Sequence, residues 1–183
     1  DRGSGDFAES GGTVTEQLNR AKSRVAAKNK DGKYMAYFQS FTNTYGSPEV
    51  LRSRYLEAIA PEEIVGLAIG TRPDCLPPEV VALLAEIQER KPVSVELGLQ
   101  TVHEETARYI RRGYENEVYF DAVKRLKSAN IEVVTHVILG LPNETRETVL
   151  KTIDCINRLP VQGIKLQLLH VLSDSDLAEI YEN

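Results

Sequence analysis

The stretch VSVELGLQ (Val93–Gln100) carries two faces at once. Val93, Val95, Leu97 and Leu99 fall on one side of an extended chain, and Ser94, Glu96, Gly98 and Gln100 fall on the other. A helix would mix these two sets, so the alternation predicts a strand with one apolar and one polar face. The fold depends on whether neighbouring segments repeat the pattern.

They do. Four more segments read as strands: YMAYFQSF (34–41), IVGLAI (64–69), IEVVTHVILG (131–140) and GIKLQLLHV (163–171). Helical spacing fills the intervals. TVTE (Thr13–Glu16) is a capping box, followed by Val14, Leu18, Ala21 and Val25 at helical positions. Ser47 caps a second helix, with Pro48 at its first position and Leu51, Tyr55 and Ile59 on its apolar face. Val80, Leu83, Leu84 and Ile87 mark a third. Further helices are predicted near 103–112, 117–129, around Val149–Ile156, and near 174–182.

Strands each followed by a helix imply parallel pairing through right-handed crossovers. Periodicity alone does not choose between an open doubly wound sheet and part of a barrel. Parallel strands covered by helices on both sides are apolar throughout, and several of these are not. Tyr37 and Gln39 alternate with Phe38; Val134, His136, Ile138 and Gly140 share a face; Lys165 and Gln167 alternate with Leu166 and Leu168. Polar residues along one face of successive strands suggest a concave, ligand-lined interior; the alternative is a sheet with one solvated face. The expected architecture is one α/β domain over residues 1–183, a five-stranded parallel partial barrel.

Bulk properties fit a globular chain: 42% hydrophobic, 27% charged, net charge −5. That balance gives no overall basic footprint for nucleic acid. The Lys- and Arg-rich run NRAKSRVAAKNKDGK (Asn19–Lys33) is most simply a solvated helix face and turn. No apolar run approaches the roughly 20 residues of a membrane span. Cys75, in a turn, and Cys155, read as a core thiol, lack metal-site spacing and fit a reducing, cytoplasmic setting.

In α/β folds ligands bind at the carboxyl ends of the strands. Here those ends are SFTNTYG, GTRPD, LGLQT, LGLPNET and LLHVLSD, rich in Thr, Asn, Asp, Arg and Gly. Arg72 and Asp74 offer a charged fork and a carboxylate, and Gly140 lets backbone approach a flat ligand. Asn143 or Thr145 is a candidate cap for the next helix. Other chemistries find little support: there is no GxGxxG after the first strand, no P-loop, no GxSxG elbow, and no metal-ligand spacing among His103, His136 and His170. Among many carboxylates, only Glu96 is fixed on a polar strand face.

YFQSFTNTYG, IGTRPDCLP, VELGLQTVHEET, RRGY, HVILGLPNETRE and GIKLQLLHVL, in this order, resemble the radical S-adenosylmethionine (radical SAM) superfamily. They are most similar to a bacterial group of poorly characterised members that are themselves similar to the radical SAM domain of the Elongator catalytic subunit. The resemblance runs from about Gly3 to Leu172. It implies a TIM-barrel-like (βα) partial barrel with six strands, of which five are present. It implies two cofactors, S-adenosylmethionine (SAM) and a [4Fe–4S] cluster held by three cysteines in a loop preceding GSGDFA. The chain then reads as a core fragment without that loop or the first strand. This bears on why it opens with the glycine-studded DRGSGDFAES.

The resemblance assigns cofactor-binding roles by position. Thr42, Asn43 and Thr44 match the strand end that receives the methionyl amino group. Thr71 and Arg72 lie near the SAM carboxylate. Gln100 and His136 match ribose contacts, and Leu139 and Gly140 the backbone along adenine. Arg112, in RRGY, and Glu96 join this set; Tyr114 stands where relatives usually carry His. The implied chemistry is reductive cleavage of SAM to a 5′-deoxyadenosyl radical that acts on an unassigned substrate, with RNA as a candidate. Two rivals remain: a cluster-free barrel enzyme handling a phosphate or sugar, and a noncatalytic RNA- or protein-binding domain. The 183-residue chain alone is expected to bind no cluster, to be inactive, and to self-associate through an uncovered strand edge at Tyr34–Phe41.

Overall fold

The computed structural model describes residues 11–27, 32–39, 41–173 and 175–181. The run DRGSGDFAES and part of the basic segment, residues 28–31, lie outside the described residues. Strands and helices alternate in the order α1 (Val14–Val25), β1 (Tyr34–Phe38), α2 (Pro48–Ile59), β2 (Ile64–Thr71), α3 (Pro78–Gln88), β3 (Val93–Gln100), α4 (Glu104–Tyr109), α5 (Asn116–Ser128), β4 (Glu132–Leu139), α6 (Arg146–Ile156), β5 (Gly163–Leu168) and α7 (Asp176–Tyr181). A short 3-10 turn, Pro73–Cys75, follows β2.

The strands form one sheet in the order β1-β2-β3-β4-β5, and every pairing is parallel. A doubly wound sheet reverses its strand order at a switch point; this one does not reverse. Sequential right-handed crossovers place the helices on one face and curl the sheet into a half-barrel. The side chains demonstrate the curl. Lys165 Nζ on β5 donates to Tyr37 Oη on β1 at 2.9 Å. A flat sheet would hold those strands about 19 Å apart, at ~4.8 Å per step, beyond the joint reach of a lysine and a tyrosine. Among the described residues β1 pairs only with β2 and β5 only with β4, so both outer edges are open.

The core lies between the convex face of the sheet and the helices. Val93, Val95, Leu97 and Leu99 are all buried there, with Leu67 and Ile69 of β2, Val133 and Val137 of β4, and Leu51, Tyr55, Leu84, Ile87 and Tyr119 from the helices. Tyr119 Oη and Thr135 Oγ1 share a hydrogen bond at 2.5 Å, satisfying the polar atoms that this packing buries. Coverage thins toward β5, where Leu166 and Leu168 are 56% and 67% exposed.

The helix starts follow the predicted chemistry. Thr13 and Glu16 form the capping box of α1, Ser47 caps α2 ahead of Pro48, and Thr145 caps α6. Asn143 instead adopts a positive φ of 64° in the preceding turn. Cys155 is half-buried rather than a core thiol, because α6 turns toward the core with Thr152 and Ile156. Helix α1 buries no residue fully, although Val14 and Leu18 pack partly against the core. Strand β1 ends at Phe38, short of the predicted Phe41. Phe41 has φ 60°, and the Asn43 amide closes the turn on Phe38 O and Gly70 O, both at 2.9 Å. Helix α4 is one turn shorter than its pattern, ending where Arg111 and Gly113 take positive φ values of 55° and 86°. Among the described residues, no helix is long and apolar enough to cross a membrane.

Candidate functional site

The polar strand faces converge on the concave interior. Glu96 of β3 sits at the centre, and one of its oxygens, Oε2, accepts three hydrogen bonds. Tyr37 Oη of β1 donates at 2.5 Å, His136 Nε2 of β4 at 2.8 Å, and Lys165 Nζ of β5 at 2.9 Å. His136 and Lys165 are register partners on adjacent strands. Burial opposes charge on Glu96, but the bonds from His136, Tyr37 and Lys165 outweigh it and hold the carboxyl down at about 2. It is therefore a carboxylate throughout the physiological range. Burial and the bonded Glu96 push the Tyr37 phenol up. Burial works against the Lys165 ammonium, yet its bonds to Tyr37 and Glu96 raise it.

Glu96 lies four residues before Gln100, about 13 Å deeper along the strand at ~3.3 Å per residue. Gln100 ends β3 with φ 63°, where the pairing with β4 slips between Gly98 and Gln100. This turn folds its side chain back over Gly98. A Cβ on Gly98 would stand 2.6 Å from Gln100 Nε2 and 3.0 Å from Tyr114 Oη, so glycine lets the Gln100 amide keep this position. Tyr114 Oη lies 3.1 Å from both Gly98 O and Gln100 Oε1 and fixes the amide from behind. Gly98 is also the register partner of His136. Gln100 Nε2 thus lies within about 7 Å of the His136 Cβ, summing that 2.6 Å and one strand spacing of ~4.8 Å. Among the described residues, neither His136 Nδ1 nor Thr42 Oγ1 makes a hydrogen bond.

Several other candidates also bond within the fold. Asn43 ties the end of β1 to β2, as above. The Thr44 and Thr71 hydroxyls bond each other at 2.6 Å, and Thr44 donates to Cys75 O at 2.5 Å. Arg72 forks onto Asp74 through Nε and Nη2, at 2.9 and 2.7 Å, and its guanidinium lies 5.0 Å from the Tyr114 ring centre. Arg112 is buried. It donates to Tyr114 O, Leu99 O, Thr101 O and Asn116 Oδ1 at 2.9–3.0 Å, and to Glu104 at 3.3 Å. That arginine clamps the loop between α4 and α5 onto the end of β3. Leu139 and Gly140 end β4, where Gly140 has φ 84° and a Cβ there would meet only Leu169 Cβ, at 4.0 Å. Thr101 Oγ1 donates to Glu144 at 2.5 Å, tying the β3 loop to the β4 loop.

The structure therefore joins Glu96 and His136 directly and sets the Gln100 amide on the His136 side of the pair. Tyr37, Lys165 and Tyr114 were not among the candidates, although strand alternation had already set Tyr37 and Lys165 on the polar faces. His103 stands at the N-cap of α4 without a side-chain cap bond, and its Nε2 pairs with Thr148 O at 2.9 Å. Among the described residues, no group of three or more His, Cys, Asp or Glu could hold a metal ion.

Comparison with known proteins matches residues 10–156 to the family described as the Radical SAM superfamily. The chain is 47% identical to the uncharacterized protein YtqA of Bacillus subtilis, covering 98% of this chain and 56% of YtqA. It is 38% identical to protein YhcC of Escherichia coli, covering 97% of this chain and 57% of YhcC. The chain thus spans a little over half the length of these relatives. Among solved structures, the archaeal Methanocaldococcus infernus Elp3 with an N-terminal deletion superposes with a TM-score of 0.74 over 93% of this chain and 47% of that one, at 18% identity. That likeness is one of fold.

Proposed function

Because the chain belongs to the radical SAM superfamily, we propose that its half-barrel is the SAM-binding core of a radical SAM iron–sulfur enzyme. One observation carries this proposal: the Gln100 amide, folded over Gly98 where a side chain would displace it, lies beside the register partner His136, and His136 Nδ1 has no partner among the described residues. Such a pair suits the two hydroxyls of a ribose. Gly140, with open space beside its backbone, would let the adenine lie along Leu139 and Gly140. The loop Thr42–Thr44 would receive the amino group. The side chains of Asn43 and Thr44 shape that loop, since their polar atoms bond neighbouring strand ends. Thr71 does the same from β2. Arg72 stands at the next strand end with Asp74, where it would meet the carboxylate. Arg112 acts at one remove, holding the end of β3 on which Gln100 sits.

When bound, SAM supplies homolytic, hydrogen-abstracting chemistry, while the protein orients it and excludes water. The [4Fe–4S] cluster that the family implies has no fitting ligand set among the described residues. Its coordination takes several thiolates close together, whereas Cys75 follows β2 and Cys155 lies in α6. The substrate would enter the concave interior above the Tyr37–Glu96–His136–Lys165 cluster. A role for α1 in holding RNA is the weaker reading, because Lys22 of its basic run already pairs with Glu63 at 2.6 Å.

The test uses full-length protein purified anaerobically. The proposal expects a broad visible absorption that dithionite bleaches, and 5′-deoxyadenosine formed from SAM under reduction. An intact cluster that yields no 5′-deoxyadenosine would overturn it. A cluster-free sugar or phosphate enzyme would show neither signal.

A further inference from the structure

The tight bonding around Glu96 has a consequence for His136. The Tyr37 hydroxyl and the Lys165 ammonium both donate to Glu96 Oε2, the oxygen that also meets His136 Nε2. A carboxylate beside an ammonium is ionised and can only accept. His136 Nε2 must therefore carry a proton, and in the neutral ring Nδ1 is left with its lone pair. We infer that Glu96 is not a ligand contact but a positioning residue, which fixes His136 as the Nε2–H tautomer so that Nδ1 accepts a hydrogen bond from a ligand hydroxyl.

This inference rests on the SAM reading and sharpens it. A carboxylate that orients a histidine through one ring nitrogen sets what the other nitrogen can do. With Nδ1 as an acceptor, the subsite selects a hydroxyl donor, and Gln100 Nε2 beside it supplies a donor. Together they complement the vicinal diol of a ribose and discriminate against a deoxyribosyl ligand. Tyr37 and Lys165, reaching in from the two edge strands, keep Glu96 charged and its oxygen aimed at the ring.

The test begins with the full-length protein labelled with 15N-histidine. Long-range proton–nitrogen correlation near pH 8 should show the His136 resonances, assigned by their loss in His136→Asn, with Nε2 protonated and Nδ1 unprotonated. Glu96→Gln presents an amide that can donate to Nε2 and should shift the population toward the Nδ1–H tautomer. Calorimetry with S-adenosylhomocysteine should then show about tenfold weaker binding for Glu96→Gln, the scale of one hydrogen bond. The same variant should bind a 2′,3′-dideoxy analogue as the wild type does. In the His136→Asn background, Glu96→Gln should change affinity less than twofold. Tyr37→Phe, which leaves Glu96 and His136 in place, should retain the Nε2–H pattern.

A wild-type His136 protonated at Nδ1 would overturn the inference without any variant. So would unchanged S-adenosylhomocysteine affinity in a folded Glu96→Gln. If the wild type binds neither nucleoside, the SAM reading and the hydroxyl-acceptor role fail together, and the tautomer spectrum still decides whether Glu96 positions the ring.

Discussion

Single atoms decide this site. Gly98 is the most exacting position, because any Cβ there would collide with the folded-back Gln100 amide and approach Tyr114 Oη. The first clash involves the end of a flexible side chain, which can move away. Gly98→Ala is therefore expected to weaken SAM binding about tenfold while shifting stability by less than about 1 kcal/mol, because alanine also restricts the unfolded chain. Calorimetry and urea denaturation on the same variant check the two halves. Glu96 makes a second prediction, on acid stability. Its carboxyl is held at about 2 against an ordinary 4.5, so it binds fewer protons in the folded state than in the unfolded one. Its stabilising contribution is complete above about pH 4.5 and is lost as the pH falls toward 2. The stability gap between wild type and Glu96→Gln should thus narrow across that window when both are unfolded by urea. A gap constant from pH 6 to pH 2.5 would deny the shift. That Glu96 faces inward was readable from VSVELGLQ, since alternation fixes the face. That three donors would meet on one of its oxygens was not, because the partners come from three other strands.

At the scale of elements, the regular pieces announce themselves and the irregular joints do not. Strand β3 and the caps of α1, α2 and α6 follow from alternation and from Thr13, Ser47 and Thr145. The ends of β1 and β3 turn through non-glycine residues, Phe41 and Gln100, at positive φ. Such strain has no local signature; it is held by ties to other parts of the chain, the Asn43 amide reaching Gly70 O in one case and Tyr114 reaching Gln100 in the other. Arg112 teaches the same lesson. The resemblance reads Arg112, in RRGY, as a cofactor-binding residue; only 2% of its side chain is exposed, and its guanidinium binds carbonyls of β3 and the loop beyond it, which the string itself does not announce. Arg112→Met would leave Leu99 O and Thr101 O without that donor and remove the Glu104 ion pair. The expected cost is about 3 kcal/mol, in line with breaking a buried charged network, read from the urea midpoint. A loss of SAM affinity with undiminished stability would instead make Arg112 a ligand contact.

The whole molecule is a strand-ordered half-barrel whose convex face is packed and whose concave face is chemical. The sequence distinguished those faces before any topology was known: three strands alternate polar with apolar and a fourth adds His136, where a doubly covered parallel sheet would be apolar on both sides. It left the choice between a barrel and a doubly wound sheet open on periodicity alone. The unreversed strand order and the Tyr37–Lys165 contact between opposite edges close that choice. What curvature adds is convergence: residues 128 positions apart meet over one carboxylate, with the strand ends of Gln100 and Gly140 above them. The proposed function requires that convergence to be a SAM site. The most direct test is a calorimetric titration of SAM into the full-length, anaerobically prepared protein, comparing wild type with Gln100→Ala. Saturable binding by the wild type is expected, weakened in the variant by about 1–2 kcal/mol, the scale of one or two lost hydrogen bonds; equal affinities, or no binding by a cluster-loaded wild type, would overturn the SAM-binding proposal.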